Sequence, residues 1–303
     1  MSQLPRIGDL TFVRYCCTIT PNNAYILRQP TLPHYHITML YITWEASPEI
    51  FNIGGFGLRW YGLMFASGFM IGFSLVRRMF VREGAPEAWL DYLFYFLIAG
   101  TVLGARFGHV VFYQWDYYSQ HLSEIPKIWE GGLASHGGVV GVVTAIALFS
   151  YFISKKSFFW TSDKVAAPIA LVGAMIRFGN LMNSEIVGLP SDQPWAFKFV
   201  NSARASLAEV PRHPVQIYES LSYLLTFGIL MWLYWKKDAG GKPGLLTGLW
   251  FVLIFGFRFL WEYFKSDQGG FGTTLTTGQW LSVPCVLAGL TMIALSFRKP
   301  EAK

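Results

Sequence analysis

Residues 130–138 read EGGLASHGG, which sets one imidazole, His136, among four glycines and directly before an apolar run at 139–153. Glycine admits left-handed or tightly curved backbone and lets a ligand approach the chain closely. A histidine with an ordinary pKa of about 6.5 can accept a proton near neutral pH. Three further polar groups interrupt apolar sequence. Arg106, His109 and Tyr113 recur at i, i+3 and i+7 in GARFGHVVFY, Arg177 and Asn180 at i and i+3 in IRFGNLMN, and Arg258 and Glu262 at i and i+4 in FRFLWEYF. Each spacing puts its members on one face of a helix. Cations that can grip an anion, beside a group that can take a proton, suit chemistry at a phosphate.

The elements that carry these residues follow from composition. Hydrophobic residues make up 53% of the chain, aromatics 17% and charged residues 14%, against about a quarter charged in a soluble domain. Water is therefore not the main solvent. Apolar runs near 60–77, 90–113, 137–153, 163–182, 216–235, 244–264 and 279–297 match the roughly 17 to 25 residues a membrane-crossing helix needs. The expected fold is an all-α integral membrane protein, a bundle of about seven transmembrane helices. A glycine-rich loop would line a lipid-accessible cavity, and a longer external loop, 183–215, would follow the fourth helix.

Loop charge gives the orientation. Arg77, Arg78 and Arg82 follow the first span, Lys155, Lys156 and Lys164 the third, Lys236, Lys237 and Lys242 the fifth, and Arg298, Lys299 and Lys303 the seventh. Lys127 stands alone after the second and Lys265 after the sixth, and 183–215 spreads Lys198, Arg204 and Arg212 more thinly. This alternation predicts an amino terminus outside and a carboxyl terminus in the cytoplasm. The net charge of +6 is then loop charge facing anionic lipid, with no nucleic acid implied. Residues 1–38 are polar and proline-punctuated. They read either as an extension outside the native chain, which would then start at Met39, or as a disordered external tail. Residues 39–303 form a single polytopic catalytic domain. Cys16, Cys17 and Cys285 have no zinc-type spacing.

A mid-bilayer arginine is unfavourable by about 2.5 to 3.5 kcal/mol, so such residues face partners or a wet cavity. Arg106 reads equally as a cap on carbonyls or as a functional group, and Arg258–Glu262 can also be a clamp between helices. The three arginines outnumber the intramembrane carboxylates, and that surplus invites an anion, the nearest being phospholipid phosphate. The predicted orientation puts Tyr61, Arg106, His136, Arg177, Arg258 and Glu262 toward the outer leaflet. Asn183 and Glu185 continue the polar run from Asn180. Pro211 and Pro214 bracket Arg212 and His213 ahead of Gln216, Tyr218 and Glu219, fixing the backbone there. A shaped turn and a catalytic His213 both fit.

Five blocks, LRWYGLM (58–64), EGGLASHGG (130–138), RFGNLMNSEIVG (177–188), RHPVQIYE (212–219) and FRFLWEYFK (257–265), resemble in order the bacterial phosphatidylglycerol–prolipoprotein diacylglyceryl transferases. Each block alone is weak, but five in order are highly specific. The resemblance implies an inner-membrane enzyme of lipoprotein biosynthesis. It would move diacylglyceryl from phosphatidylglycerol to the lipobox cysteine of a prolipoprotein signal peptide, forming a thioether and releasing glycerol phosphate. It implies catalytic roles for His136, Tyr61, Arg177 and Arg258, and phosphatidylglycerol binding by Arg177, Asn180, Glu185, Gly188, Arg258 and Glu262. His136 or Tyr61 would be the base that frees the thiolate, and no metal or cofactor is called for. Ser184 stands where that family usually has glycine, which should alter backbone freedom only modestly. Lys265 stands where arginine is common, which removes the bidentate fork from any grip on phosphate there.

Two rival chemistries fit less well. An anion transporter predicts related halves, yet the glycine–histidine block has no counterpart in the second half. A serine protease needs a serine paired with a histidine, but Ser135 and His136 are adjacent and no G-x-S-x-G elbow occurs.

Overall fold

Short strands lead into the helices. In the computed structural model, which describes residues 41–53, 56–266 and 275–298, β1 (Ile42–Trp44), β2 (Glu49–Ile53) and β3 (Phe56–Arg59) precede α1 (Trp60–Arg82) and α2 (Ala88–Tyr113). The one-turn α3 (Trp115–Tyr118) leads to α4 (Ser135–Phe149), which a π-helical segment, Ser150–Ser154, prolongs. Next come α5 (Phe158–Met182), β4 (Phe197–Phe199), the one-turn α6 (Ala205–Ala208) and α7 (Val215–Lys236). The last are α8 (Leu245–Trp261), continued by a 3₁₀ turn to Phe264, and α9 (Thr277–Ser296). Seven of these segments are long and apolar enough to cross a membrane, as expected. Segment 1–38 lies outside the described residues.

Two differences from the sequence reading have physical reasons. α1 runs on to Arg82 instead of stopping near 77, because arginine is a good helix former and the end of the span gives its charge access to water. The lead-in 41–59 is also not irregular: β2 and β3 form an antiparallel hairpin, and β1 pairs in parallel with the distant β4, Ile42 opposite Phe197 and Trp44 opposite Phe199.

Antiparallel helix pairs build the bundle. Lipid is as apolar as leucine, so helix association in a bilayer rests on close packing rather than on transfer from water. α2 and α4 meet through Gly100, Gly104, Gly137 and Gly141, where a Cβ at Gly104 or Gly141 would overlap the carbonyl oxygens of Gly137 and Gly100. At the other end of that pair, Phe80, Leu93, Phe149 and Val165 form one apolar cluster, while Met79, Leu230 and Leu246 anchor another. Asp163, buried in α5, caps α8 from outside it by accepting from the backbone N–H groups of Gly244 and Thr247, both at 2.7 Å, and from the Thr247 hydroxyl. Both large apolar clusters lie where α1 stops and α5 starts. The opposite end holds the polar residues.

Candidate active site

That polar end is assembled from the start of α1, the ends of α5 and α8, the start of α7 and the loop after α5. Arg177 is the hub. Its Nε lies 2.9 Å from Glu219 Oε2 and its Nη1 donates to Asn180 Oδ1 at 3.1 Å. Asn180 Nδ2 donates to Glu185 Oε1 at 2.7 Å, and Asn183 Nδ2 donates to the same oxygen at 3.1 Å. Gln216 Nε2 holds the backbone carbonyl of Glu185 at 2.7 Å. Lys265 Nζ stands 2.7 Å from Glu219 Oε1 and 3.5 Å from Glu262 Oε2. Glu219 is only 1% exposed, and neither of its oxygens receives a well-directed hydrogen bond. Two flanking cations hold it electrostatically.

Tyr61 packs on α5 at Gly179, where a Cβ would lie 3.0 Å from the tyrosine Cα, and it sits within electrostatic reach of Glu185 and Arg177. Tyr223 lies beside Arg177 and within electrostatic reach of Arg258. Arg258 itself differs from its neighbours. Its Nε is buried without a hydrogen-bond partner, and no carboxylate pairs with it among the described residues.

These contacts revise the charge argument. Leaving Arg106 aside, Arg177, Arg258 and Lys265 are matched in number by Glu185, Glu219 and Glu262, so no surplus of cations surrounds Arg177. What sets Arg258 apart is how the pairs are distributed. Glu219 and Glu262 are engaged by Arg177 and Lys265, Glu185 by two asparagines, and Arg258 is left over. Glu219, Lys265 and Tyr223 were not among the expected site residues. The signal for Glu219 was present, since a carboxylate in an apolar helix needs a partner as much as an arginine does.

Arg106 resolves the other way. Its Nε donates to Ile125 O at 2.7 Å, Nη1 to Gly131 O and Gly132 O at 2.7 and 3.2 Å, and Nη2 to Glu124 O at 2.8 Å, with Tyr118 beneath the guanidinium at 4.9 Å. The carbonyl-capping reading holds: Arg106 pins the loop that carries the glycine block. In that block Gly131 and Gly132 take φ of 92° and 73°, which glycine adopts freely.

His136 lies in the first turn of α4, exposed, on a cleft of ≈ 280 Å³ that His109, Tyr113, Leu133 and Ala134 complete. It is at the same end of the bundle as Arg177 but does not join the Arg177 network. Gly188 has a packing reason to be glycine, since a Cβ there would lie 2.6 Å from both His213 O and Phe264 O. Its N–H donates to His213 O at 3.0 Å, and Leu189 N–H to Phe264 O at 2.8 Å. His213 rests on the Phe264 ring at 4.9 Å, with Nδ1 3.2 Å from the Tyr218 hydroxyl, which accepts from Trp195 Nε1 at 2.9 Å. Burial lowers the His213 pKa, with Asp192 pulling the other way. Ser184 is left-handed at φ 53°, with its buried hydroxyl unpartnered.

This arrangement has close relatives. The family model described as prolipoprotein diacylglyceryl transferase matches residues 48–295. Proteins named phosphatidylglycerol–prolipoprotein diacylglyceryl transferase are similar to the chain over most of its length. The one from Chloroherpeton thalassium is 47% identical, over 87% of this chain and 97% of that protein. Those from Tolumonas auensis and Porphyromonas gingivalis are 43% and 41% identical, over 84% and 86% of this chain and 98% and 96% of theirs. The chain belongs to the prolipoprotein diacylglyceryl transferase family.

Proposed function

We propose that this chain carries out the transfer its relatives are named for, with the Arg177–Arg258 end of the bundle as the reaction site. Phosphatidylglycerol enters from the bilayer and sets its phosphate against Arg258, a cation with no carboxylate partner among the described residues. Glu219 fixes Arg177 through Nε and Asn180 takes one Nη1 direction, so the rest of the guanidinium is oriented toward the same anion. The thiol of the lipobox cysteine in the prolipoprotein signal peptide attacks the glyceryl carbon. The S–C bond forms as the C–O bond to phosphate breaks, and the electron pair leaves on glycerol phosphate. Charge gathers on that oxygen, where prepositioned cations stabilise it most in a low-dielectric site. The thiol proton goes to a base, His136 or Tyr61.

The orientation proposed from loop charge puts this end at the outer face of the inner membrane, with the carboxyl terminus in the cytoplasm. The observation that carries the reading is the buried, unpartnered Arg258 Nε beside an arginine held in place. Purified protein reconstituted with phosphatidylglycerol and a lipobox peptide should release glycerol phosphate in step with thioether formation. In the same assay His136→Gln and Tyr61→Phe separate the two bases. The variant that keeps full turnover removes that residue from the role.

A further inference from the structure

The end of the bundle opposite Arg177 carries a second cleft, of ≈ 590 Å³, framed by the last turn of α1 and the starts of α2 and α5, with the end of α7 closing it. α1 has 23 residues, so at about 1.5 Å per residue roughly 35 Å separate this cleft from Tyr61. The transfer chemistry does not use it. Its inner wall is Glu83, whose carboxylate is 2.9 Å from Lys164 Nζ and accepts from Trp160 Nε1 at 2.7 Å and from the Tyr234 hydroxyl at 2.9 Å. Lys164 is 1% exposed and also lies 3.7 Å from the centre of the Trp160 ring. The acid of the wall is therefore engaged by Lys164, Trp160 and Tyr234.

The mouth is cationic. Arg82 donates to Tyr234 O and to Asp238 Oδ1, both at 3.0 Å, and covers the Tyr234 and Trp235 rings at 5.2 and 5.1 Å. Lys156 lines the cleft, is exposed, and has no ion pair among the described residues. Asp238 pairs with Arg82, and Glu83 pairs with Lys164 behind the lining, which leaves Lys156 as the lining cation with no ion pair among the described residues. Gly240 keeps it open: a Cβ there would lie 2.8 Å from the Tyr234 ring and 3.3 Å from Glu83 Oε1.

We propose that this cleft binds the phosphodiester headgroup of an anionic phospholipid from the leaflet at that end, a lipid that is held and not consumed. Its volume falls within the roughly 300 to 1,000 Å³ of small-ligand sites. Its indole and phenol walls are the groups that settle at headgroup depth. Lys156 supplies a charge with no ion pair among the described residues, and a near-surface cation is worth about fivefold in affinity for anionic lipid.

The test uses the full chain in phosphatidylcholine nanodiscs doped with phosphatidylglycerol carrying a photoreactive headgroup, with crosslinks mapped by peptide mass spectrometry. Labelling is expected within 82–89, 156–160 and 234–241, and separately at the Arg177 end, which reports on the transfer site. Lys156→Glu should lower the first set at least about fivefold and leave the second set and turnover unchanged. Lys156→Arg should restore the first set. Equal labelling of the cleft by a photoreactive phosphatidylcholine overturns the proposal, as does unchanged labelling in Lys156→Glu. Loss of the label to millimolar inorganic phosphate assigns the cleft to free phosphate and overturns the lipid.

Discussion

Arg106 and Arg258 are both arginines in membrane-crossing helices at the same end of the bundle, and the protein treats them oppositely. Arg106 is 5% exposed and donates to four backbone carbonyls over an aromatic ring. Arg258 keeps a buried Nε with no partner among the described residues. An arginine in a bilayer is therefore not in itself a sign of a ligand. What distinguishes the two is whether the protein's own acceptors satisfy the guanidinium. A saturated one holds structure, and an unsaturated one is poised for an anion from outside.

Leucine at each position breaks or confirms that contrast. Arg258→Leu should cut turnover by about 10²- to 10³-fold, the usual loss for a preorganised donor at developing charge. Its thermal midpoint should hold or rise, since a buried unpaired donor is removed. Arg106→Leu should do the reverse, leaving four carbonyls without a donor at about 1 to 3 kcal/mol each where they remain buried. It should unfold far earlier, and a wild-type midpoint would remove the distinction. Glu219→Gln sharpens the comparison by giving Arg177 the freedom Arg258 already has. It should lose about 3 to 5 kcal/mol of stability as Arg177 loses its counter-charge and Lys265 keeps only Glu262, with turnover falling alongside, and thermal unfolding and glycerol phosphate release measure the two effects. Ser184→Gly should gain about 1 kcal/mol, because glycine takes the left-handed backbone without strain and removes an unpaired hydroxyl.

The smallest effect is at His213, whose folded pKa is lowered by burial. The fold favours its neutral form, so stability is fully present above its ordinary value of about 6.5. It is lost as pH falls from there toward the lower native value. Thermal midpoints taken across that window should show a slope that flattens in His213→Asn.

Much of this was legible in the sequence, for identifiable reasons. The seven helices follow from apolar length, and Arg177, Asn180 and Glu185 from polar residues recurring through a helix end. The strands were missed because segments of three to five residues carry too little alternation to register beside long apolar runs. Glu219 was missed because it was counted with the helix mouth and not with the intramembrane charges, which made the cations look in surplus. A carbonyl cap was one of two readings of Arg106, but which carbonyls it would meet could not be read. They are backbone carbonyls, which every residue offers, and only the fold of 124–132 brings four of them together.

The parallel pairing of β1 with β4 constrains the order in which the protein can be finished. The Glu45 carbonyl accepts from Asn201, 156 residues later. At about 5 to 20 residues per second of synthesis, roughly 8 to 30 seconds pass before the ribosome supplies that partner. The segment just ahead of Tyr61 must wait through insertion of the first four helices before its seat exists. Until then the strand ahead of α1 lacks its β4 partner, although Tyr61 already has its seat on α5 at Gly179.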